Sequence, residues 1–505
     1  MAPVPRSPAP TVTLPRQRRP LHAALCAVAL AAGLAGCSTT PVGPDYHPSP
    51  DAVAASPAAS APFLGAQATA AGGTPFSGQP LPARWWHLYK DPRLDTLVQR
   101  ALEHNTDLRQ ALANLERERA LDEQVESARR PTLELAGGPS RGHVSGLSVG
   151  AEGYEPPTTT NYAAMASLSY QVDLFGQIHR AIEAAHADTE AAEAALDLVR
   201  VNVAAGTARA YADACSSGLR LQSAETSVRL QSQAVELSDR LQQAGRVGVI
   251  DGARARAQLQ QLQAAIPPLQ AQRQSALYRL ATLTGAPPQE FPREVADCAT
   301  PPQVAGPLPV GDGAALLRRR PDIRQAERGV AAATARIGVA TADLYPKVTL
   351  GLSASSIGLA SNFGGKDAFA WNLGPLISWT VPNTGAVRAR ITQAEAGTRG
   401  ALARFDGVVL GALRETETAL TVYSRELDRH AALQAARDQS ALVAEQARRL
   451  YRNGKTGSLD ALDAERALAA SEAALAASEA QLADDQVGLF LALGGGWEPE
   501  TGHGT

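Results

Sequence analysis

The chain has few aromatic residues, little net charge and no long apolar run beyond its first 36 residues. Aromatic side chains make up only 5% of the 505 residues, and a composition rich in Ala, Leu and Gln favours long helices over sheet. A net charge of −3 gives no reason to expect a nucleic acid as partner. Because no apolar run of about 18 residues follows the N-terminal segment, no transmembrane helix is expected.

Recognisable catalytic and metal-binding patterns are also missing. Gly146–Gly150 fits the pattern G-x-S-x-G, but a nucleophile elbow requires a strand–turn–helix context, and this stretch is predicted to be a loop between strands. The nine His residues have no metal-ligand spacing, and no glycine motif for phosphate is present. The basic run Arg318–Arg320 is interpreted as a solvated helix start. An enzyme is therefore not expected.

Cysteine is scarce: of the four, Cys26 lies in a targeting segment and Cys37 directly follows it. A basic stretch with Arg16, Arg18 and Arg19 precedes the apolar run 21–34, and Leu-Ala-Gly-Cys follows at 34–37. This pattern predicts a lipoprotein signal peptide over 1–36 with covalent lipid on Cys37, and no other cofactor. Several acyl chains would anchor the protein firmly in lipid. Ser38, which directly follows Cys37, is typical of lipoproteins that are sorted to the outer membrane. The alternative interpretation of the whole segment is an ordinary signal peptide with a chance cysteine.

What the chain does contain is an internal repeat. A shift of 209 residues aligns 240–285 with 449–494. It pairs Gly245 with Gly454, Gly248 with Gly457, and Asp251 with Asp460. Repeats of this length determine architecture, so two similar halves are predicted rather than three unrelated domains.

Each half is predicted to hold a helix, two strands and a long helical hairpin. The first long helix runs from Gln177 to Ala244, about 100 Å at 1.5 Å per residue, and its return from Asp251 to Leu283 is expected to break at Pro267-Pro268. The predicted organisation is a signal peptide 1–36, a lipidated extended tether 37–82, a first repeat 83–285, a linker 286–313, a second repeat 314–497 and a tail 498–505.

The predicted strands are amphipathic but too few to close a sheet. In 162–174, apolar residues alternate with Ser167, Ser169, Gln171 and Asp173. Two such strands per half give four per chain, whereas open strand edges are not tolerated in lipid. A closed barrel of about 8 to 16 or more strands would therefore need two, three or four copies of the chain.

Cys215 and Cys298 remain after export, where a pair can oxidise. Cys215 lies about 30 residues before the turn at 245–249. The returning helix ends about 33 residues after this turn, at a similar height along the hairpin, and Cys298 follows shortly after. A disulfide between the two is geometrically reasonable.

Several motifs, in this order, resemble outer-membrane efflux lipoproteins of the NodT/OprM type, which are relatives of TolC. They are VGPDYHP (42–48), WW.LY.DP.L (85–94), YQVDLFGQIHR (170–180), RRRPDIRQAER (318–328), ATADLYP (340–346), WTVPNTGAVRARI (379–391) and LALGGGW (491–497). The resemblance covers essentially the whole mature chain. It departs at Val381-Pro382, where relatives often carry an aliphatic-Phe pair.

The resemblance implies a mainly α fold with membrane β structure. Three chains would form a 12-stranded outer-membrane β-barrel, continued by a long periplasmic α-helical barrel. The homotrimer would be lipid-anchored in the bacterial outer membrane and would meet a periplasmic adaptor protein and an inner-membrane transporter of RND type. Its implied function is a passive exit duct for drugs or other small toxic compounds. Alternatives are the same channel in type I protein secretion or heavy-metal export, and a periplasmic coiled-coil scaffold lipoprotein.

The resemblance also assigns roles to the two turns of the repeat. Asp460 and Asp463 match the acidic residues around the closed periplasmic aperture, Asp251 matches the acid of the other turn, and Tyr451 matches the neighbouring aromatic. Three copies of the acids would form a negative ring, although acids in a first helical turn also simply stabilise the helix dipole. The small and basic turn residues suit adaptor docking or plain turn formation. They are Gly245, Arg246, Gly248, Gly454, Lys455 and Gly457.

Overall fold

The computed structural model describes residues 40–70, 73–150, 152–381 and 384–497. The predicted signal peptide, the lipidation site Cys37, Pro382 and the tail 498–505 lie outside the described residues. Within those residues, no helix is both long enough and apolar enough to cross a membrane.

The two repeats contain matching sets of elements. The first comprises α1 (Pro92–His104), α2 (Thr106–Glu126), β1 (Thr132–Gly142), β2 (Thr159–Val172), α3 (Gln177–Gln243), α4 (Val249–Ala264) and α5 (Ile266–Leu283). The second comprises α6 (Gly313–Arg319), α7 (Pro321–Ala342), β3 (Lys347–Gly358), β4 (Phe369–Ser378), α8 (Thr384–Arg452) and α9 (Ser458–Ala492). The two long helices have 67 and 69 residues, about 100 Å each.

The four strands form one antiparallel sheet in the order β1-β2-β3-β4. Its register places apolar residues of all four strands in common rows, one of which holds Leu133, Leu168, Leu352 and Leu373. Paired residues share a face, so the predicted alternation in β2 is confirmed and extends across the sheet. Leu133 and Leu373 are 63% and 68% exposed. Within the described residues, β1 and β4 each pair along one side only.

The helices next to the sheet lie side by side in the same order as the strands to which they connect. Next to the sheet, contacts run α2 to α3, α3 to α7 and α7 to α8. Farther along, α4 and α5 lie against α3, and α9 lies between α3 and α8. Therefore α8 forms one side border of the protomer, and α2, α4 and α5 form the other.

Two helix breaks have identifiable causes. The break at Pro267-Pro268 is confirmed, because α4 ends at Ala264 and α5 begins at Ile266 with proline in its first turn. The single helix predicted ahead of the strands in the first repeat is instead divided at Asn105, into α1 and α2. The Asn105 side chain accepts from the backbone N–H groups of Asp107 and Leu108 and donates to Leu283 O, which caps α2 and bends the chain.

The segment before Trp85 is packed, contrary to the expectation of a free tether. We name residues 40–70 and 73–82 the strap. Phe63 and Leu81 are each only 2% exposed, so the strap contributes to the core. Backbone N–H groups of Leu64 and Gly65 each donate to the Glu417 carboxylate at 2.8 Å. A few apolar anchors and these charge-assisted bonds hold a Pro/Ala-rich segment whose composition alone suggested no packing.

The main core lies where the strap and the C-terminal end of α9 meet α3. Trp85 and Phe490 are fully buried, with ring centroids 4.9 Å apart. Nearby, Cys215 of α3 is joined to Cys298 by a disulfide. Gly218 allows this approach, because a Cβ atom there would lie 1.9 Å from Cys298 O.

Candidate functional site: the two hairpin tips

Both tip turns have the same backbone structure. Gly245 and Gly454 each have φ +67°, a left-handed conformation that favours glycine. The following N–H groups, of Arg246 and Lys455, donate to Leu241 O and Leu450 O at 2.9 Å. This pattern is a Schellman motif, which ends a helix by satisfying its last carbonyls. In this region the sequence repeat therefore encodes the same helix-ending turn at both tips.

Asp251 connects the two tips of one chain. Ser458 Oγ donates to Asp251 Oδ1 at 2.6 Å, and the Gly248 N–H donates to Oδ2 at 3.1 Å. The hydrogen bond from Ser458 is the main reason that the pKa of the Asp251 carboxyl lies below its ordinary value of 3.8. The carboxylate is therefore charged at neutral pH and holds the start of α4 against the start of α9.

Asp460 and Asp463 lie at the start of α9, and both are exposed. Thr456 Oγ1 donates to Asp460 Oδ2 at 2.5 Å. Asp463 is within 3.4 Å of Arg466 Nη1, while the Nε of the same arginine donates to Gln258 Oε1 at 2.8 Å. Both carboxylates thus remain on the surface of the chain.

Tyr451 is placed beside Asp251 rather than at the exposed end of the turn. Its phenol oxygen is buried, and no partner reaches it among the described residues. Burial, and secondarily the charge on Asp251, raises the pKa of the Tyr451 phenol. The group therefore stays protonated and can donate a hydrogen bond.

Comparison with known proteins identifies the family. The family model described as "Outer membrane efflux protein" matches residues 97–286 and 314–495, one segment in each repeat. The chain belongs to the outer membrane efflux proteins. This confirms the resemblance carried by its motifs.

Relatives and solved structures agree with this assignment. Nodulation protein T of Rhizobium leguminosarum bv. trifolii is 30% identical over 433 residues, covering 85% of this chain and 91% of the relative. The pyoverdine export outer membrane protein OpmQ of Pseudomonas putida is 29% identical, covering 97% and 99%. The structure of the outer-membrane channel OprN superposes with a TM-score of 0.82 at 35% identity, covering 91% of this chain and all of that one. The TolC-like fold and the outer-membrane location follow.

In this efflux protein, all six turn residues predicted for docking are exposed at the tips. The first tip also exposes Val249 and Ile250, at 66% and 67%. Large apolar residues exposed side by side are typical of a contact surface. The corresponding positions of the second tip are Ser458 and Leu459, so the two tips present different surfaces.

Sequence reasoning missed the partners that join the tips. Ser458, Gln258 and Arg466 belong to none of the motifs that the sequence shows. Their roles depend on which hairpin lies beside α9, which a single chain's periodicity does not reveal. By contrast, Gly146–Val149 forms a short turn between β1 and β2, the loop context expected for the G-x-S-x-G match.

Proposed function

We propose that this efflux protein acts as a homotrimeric, passive exit duct of a tripartite RND-type pump. The open four-stranded sheet carries the proposal. Its exposed apolar face and two unpaired borders favour pairing of β4 with β1 of another copy, and three copies would supply twelve strands.

Apolar side chains exposed along the borders of the helical layer support the same assembly. On α8 they are Leu410, Val422, Leu442 and Val443, and on the opposite border they are Leu112, Leu121 and Tyr278. A head-to-tail contact between these borders would form a ring. Native mass spectrometry of the detergent-solubilised protein tests this. Three chains per particle are expected, and a monomer or dimer as the largest species would contradict the proposal.

The exposed tips support docking of a periplasmic adaptor, through which an inner-membrane transporter would supply substrate and energy. Val249 and Ile250 offer apolar area, and Arg246 and Lys455 offer positive charge. The substrates are proposed to be small toxic compounds. The relative OpmQ is named for export of pyoverdine, and this name supports an export role.

Asp460 and Asp463 are proposed to form the periplasmic gate, with Asp251 and Tyr451 holding the neighbouring tip. The second tip is the preferred gate, because Asp463 occupies the position that Arg254 has in the first. Six carboxylates around the threefold axis would attract cations and would repel one another on tight closure.

Substitution of both gate acids tests this role. Asp460→Ala/Asp463→Ala should lower cation selectivity and make the closed channel leakier to large antibiotics. Asp438→Ala, which removes an acid of α8 paired with Arg437, is the matched control. Unchanged conductance, selectivity and antibiotic susceptibility in the double variant would count against the gate.

A further inference from the structure

Charged residues are rare on the four-stranded sheet. Strands β1 to β4, all of which lie within the described residues, contain three of them: Glu134, Arg141 and Lys347. Successive side chains of a strand point to opposite faces. Glu134 therefore lies on the face opposite to the exposed Leu133, whereas Arg141 lies at the far end of β1 on the same face as Leu133. The face that carries Glu134 consists largely of small or polar side chains.

Glu134 lies near the middle of the height of this polar face. Its row across the sheet holds Ser167, Ser353 and Asn372, and Ser353 is the seventh of the twelve residues of β3. The Glu134 side chain is exposed, and no hydrogen bond or ion pair reaches its carboxylate from the described residues. The neighbouring serine side chains are too short to cover it. Glu134 therefore presents an unpaired negative charge.

Lys347, the other charged strand residue on this face, already has a counter-ion. Its Nζ lies 3.0 Å from Asp343 Oδ1, at the end of the sheet next to the helices. Lys347 precedes Ser353 by six residues, which corresponds to roughly 20 Å of strand at about 3.3 Å per residue. Because the Debye length is about 8 Å at physiological ionic strength, Lys347 does not offset the charge of Glu134.

We infer that Glu134 determines charge selectivity in the barrel, where three copies form a ring of carboxylates that favours cationic over anionic solutes. The inference rests on the proposed homotrimeric duct. In a membrane barrel the apolar face contacts lipid and the polar face lines the lumen, which places Glu134 inside. Rings of Glu carboxylates attract cations, and low-dielectric walls strengthen their field. This ring lies in the outer membrane, at the opposite end of the protein from the tips.

Reversal potentials of the purified full-length protein in planar bilayers, measured under a KCl gradient, test this role. The Asp460→Ala/Asp463→Ala background removes the contribution of the proposed gate. A residual preference for K⁺ over Cl⁻ is expected, which Glu134→Gln should abolish and Glu134→Lys should turn into a preference for Cl⁻. The preference should also shrink in concentrated salt, because the Debye length falls from about 10 Å at 0.1 M to about 3 Å at 1 M.

Glu103→Gln is the matched control, since it removes the same charge from an exposed position of α1 that bonds only to Gln99 of its own helix by the shorter contact of 3.0 Å. It should leave the ion preference unchanged.

A pair of cysteine variants tests the location of the side chain. Leu133→Cys and Glu134→Cys are neighbours in the sequence but lie on opposite faces. The anionic reagent (2-sulfonatoethyl) methanethiosulfonate should restore the cation preference of Glu134→Cys, and the cationic trimethylammonium analogue should give a preference for anions. Neither reagent should affect Leu133→Cys, whose thiol faces lipid. Cys215 and Cys298 do not interfere, because they are joined by the disulfide.

The possible outcomes separate this inference from the proposed function. Channels whose selectivity is unchanged by Glu134→Gln, or whose two cysteine variants respond equally, would overturn the inference and leave the duct intact. A protein that forms no channel would instead overturn the proposed function. Fewer trimers of Glu134→Gln, with unchanged selectivity in those that form, would overturn the inference by showing that the charge only protects the edge strand β1 from incorrect pairing.

Discussion

At the residue scale, the hydrogen bond between Ser458 and Asp251 links the two tips. A depressed carboxyl pKa means that the charged form is favoured in the folded tip. The contribution of this contact is therefore complete at neutral pH and is lost only as pH falls through the lowered value, below 3.8. A response of the channel between pH 5 and 8 should not arise from Asp251.

Asp251→Asn should accordingly raise the open probability at neutral pH, because the amide replaces a charge-assisted bond with a weaker neutral one. The control is Asp239→Asn, since Asp239 pairs with Arg256 at 2.7 Å within the first hairpin and not across to α9. Planar-bilayer recording of both variants checks the expectation. An equal change in the two variants would show that the tip link has no particular role.

At the element scale, periodicity predicted the strands and long helices well because each has a strong local signal. The alternation in β2 and the Pro267-Pro268 break needed nothing beyond neighbouring residues. The break at Asn105 and the packing of the strap depend on distant partners, namely Leu283 O and the Glu417 carboxylate. For the same reason, the tip contact of Asp251 with Ser458 could not be predicted from the chain alone.

The disulfide joins Cys215 and Cys298, which lie 83 residues apart in the sequence. Closing a loop of this length reduces the entropy of the unfolded chain and stabilises the fold by roughly 4 kcal/mol. Cys215→Ala/Cys298→Ala should lower the midpoint of guanidinium unfolding by a corresponding amount. Reductant should destabilise the original protein and leave the double variant unchanged.

A thiol assay provides the direct check on that bond. Denatured but unreduced mature protein should show no reactive thiol from either cysteine. Two reactive thiols per chain would contradict the disulfide.

At the scale of the whole molecule, a single chain forms an open layer that does not close on itself. Its sheet and its helical layer are both open at their sides, and each border carries exposed apolar side chains. These features follow from the sequence once the repeat is recognised, because four amphipathic strands cannot close on themselves. The number of copies came from the family resemblance and not from the residues.

Single-channel recording of the purified protein in a planar bilayer tests the central claim most directly. An exit duct should give discrete conductance steps with a preference for cations, and Asp460→Ala/Asp463→Ala should reduce that preference. A scaffold lipoprotein would make no pores. Membranes that stay silent after confirmed insertion of the intact protein would contradict the account.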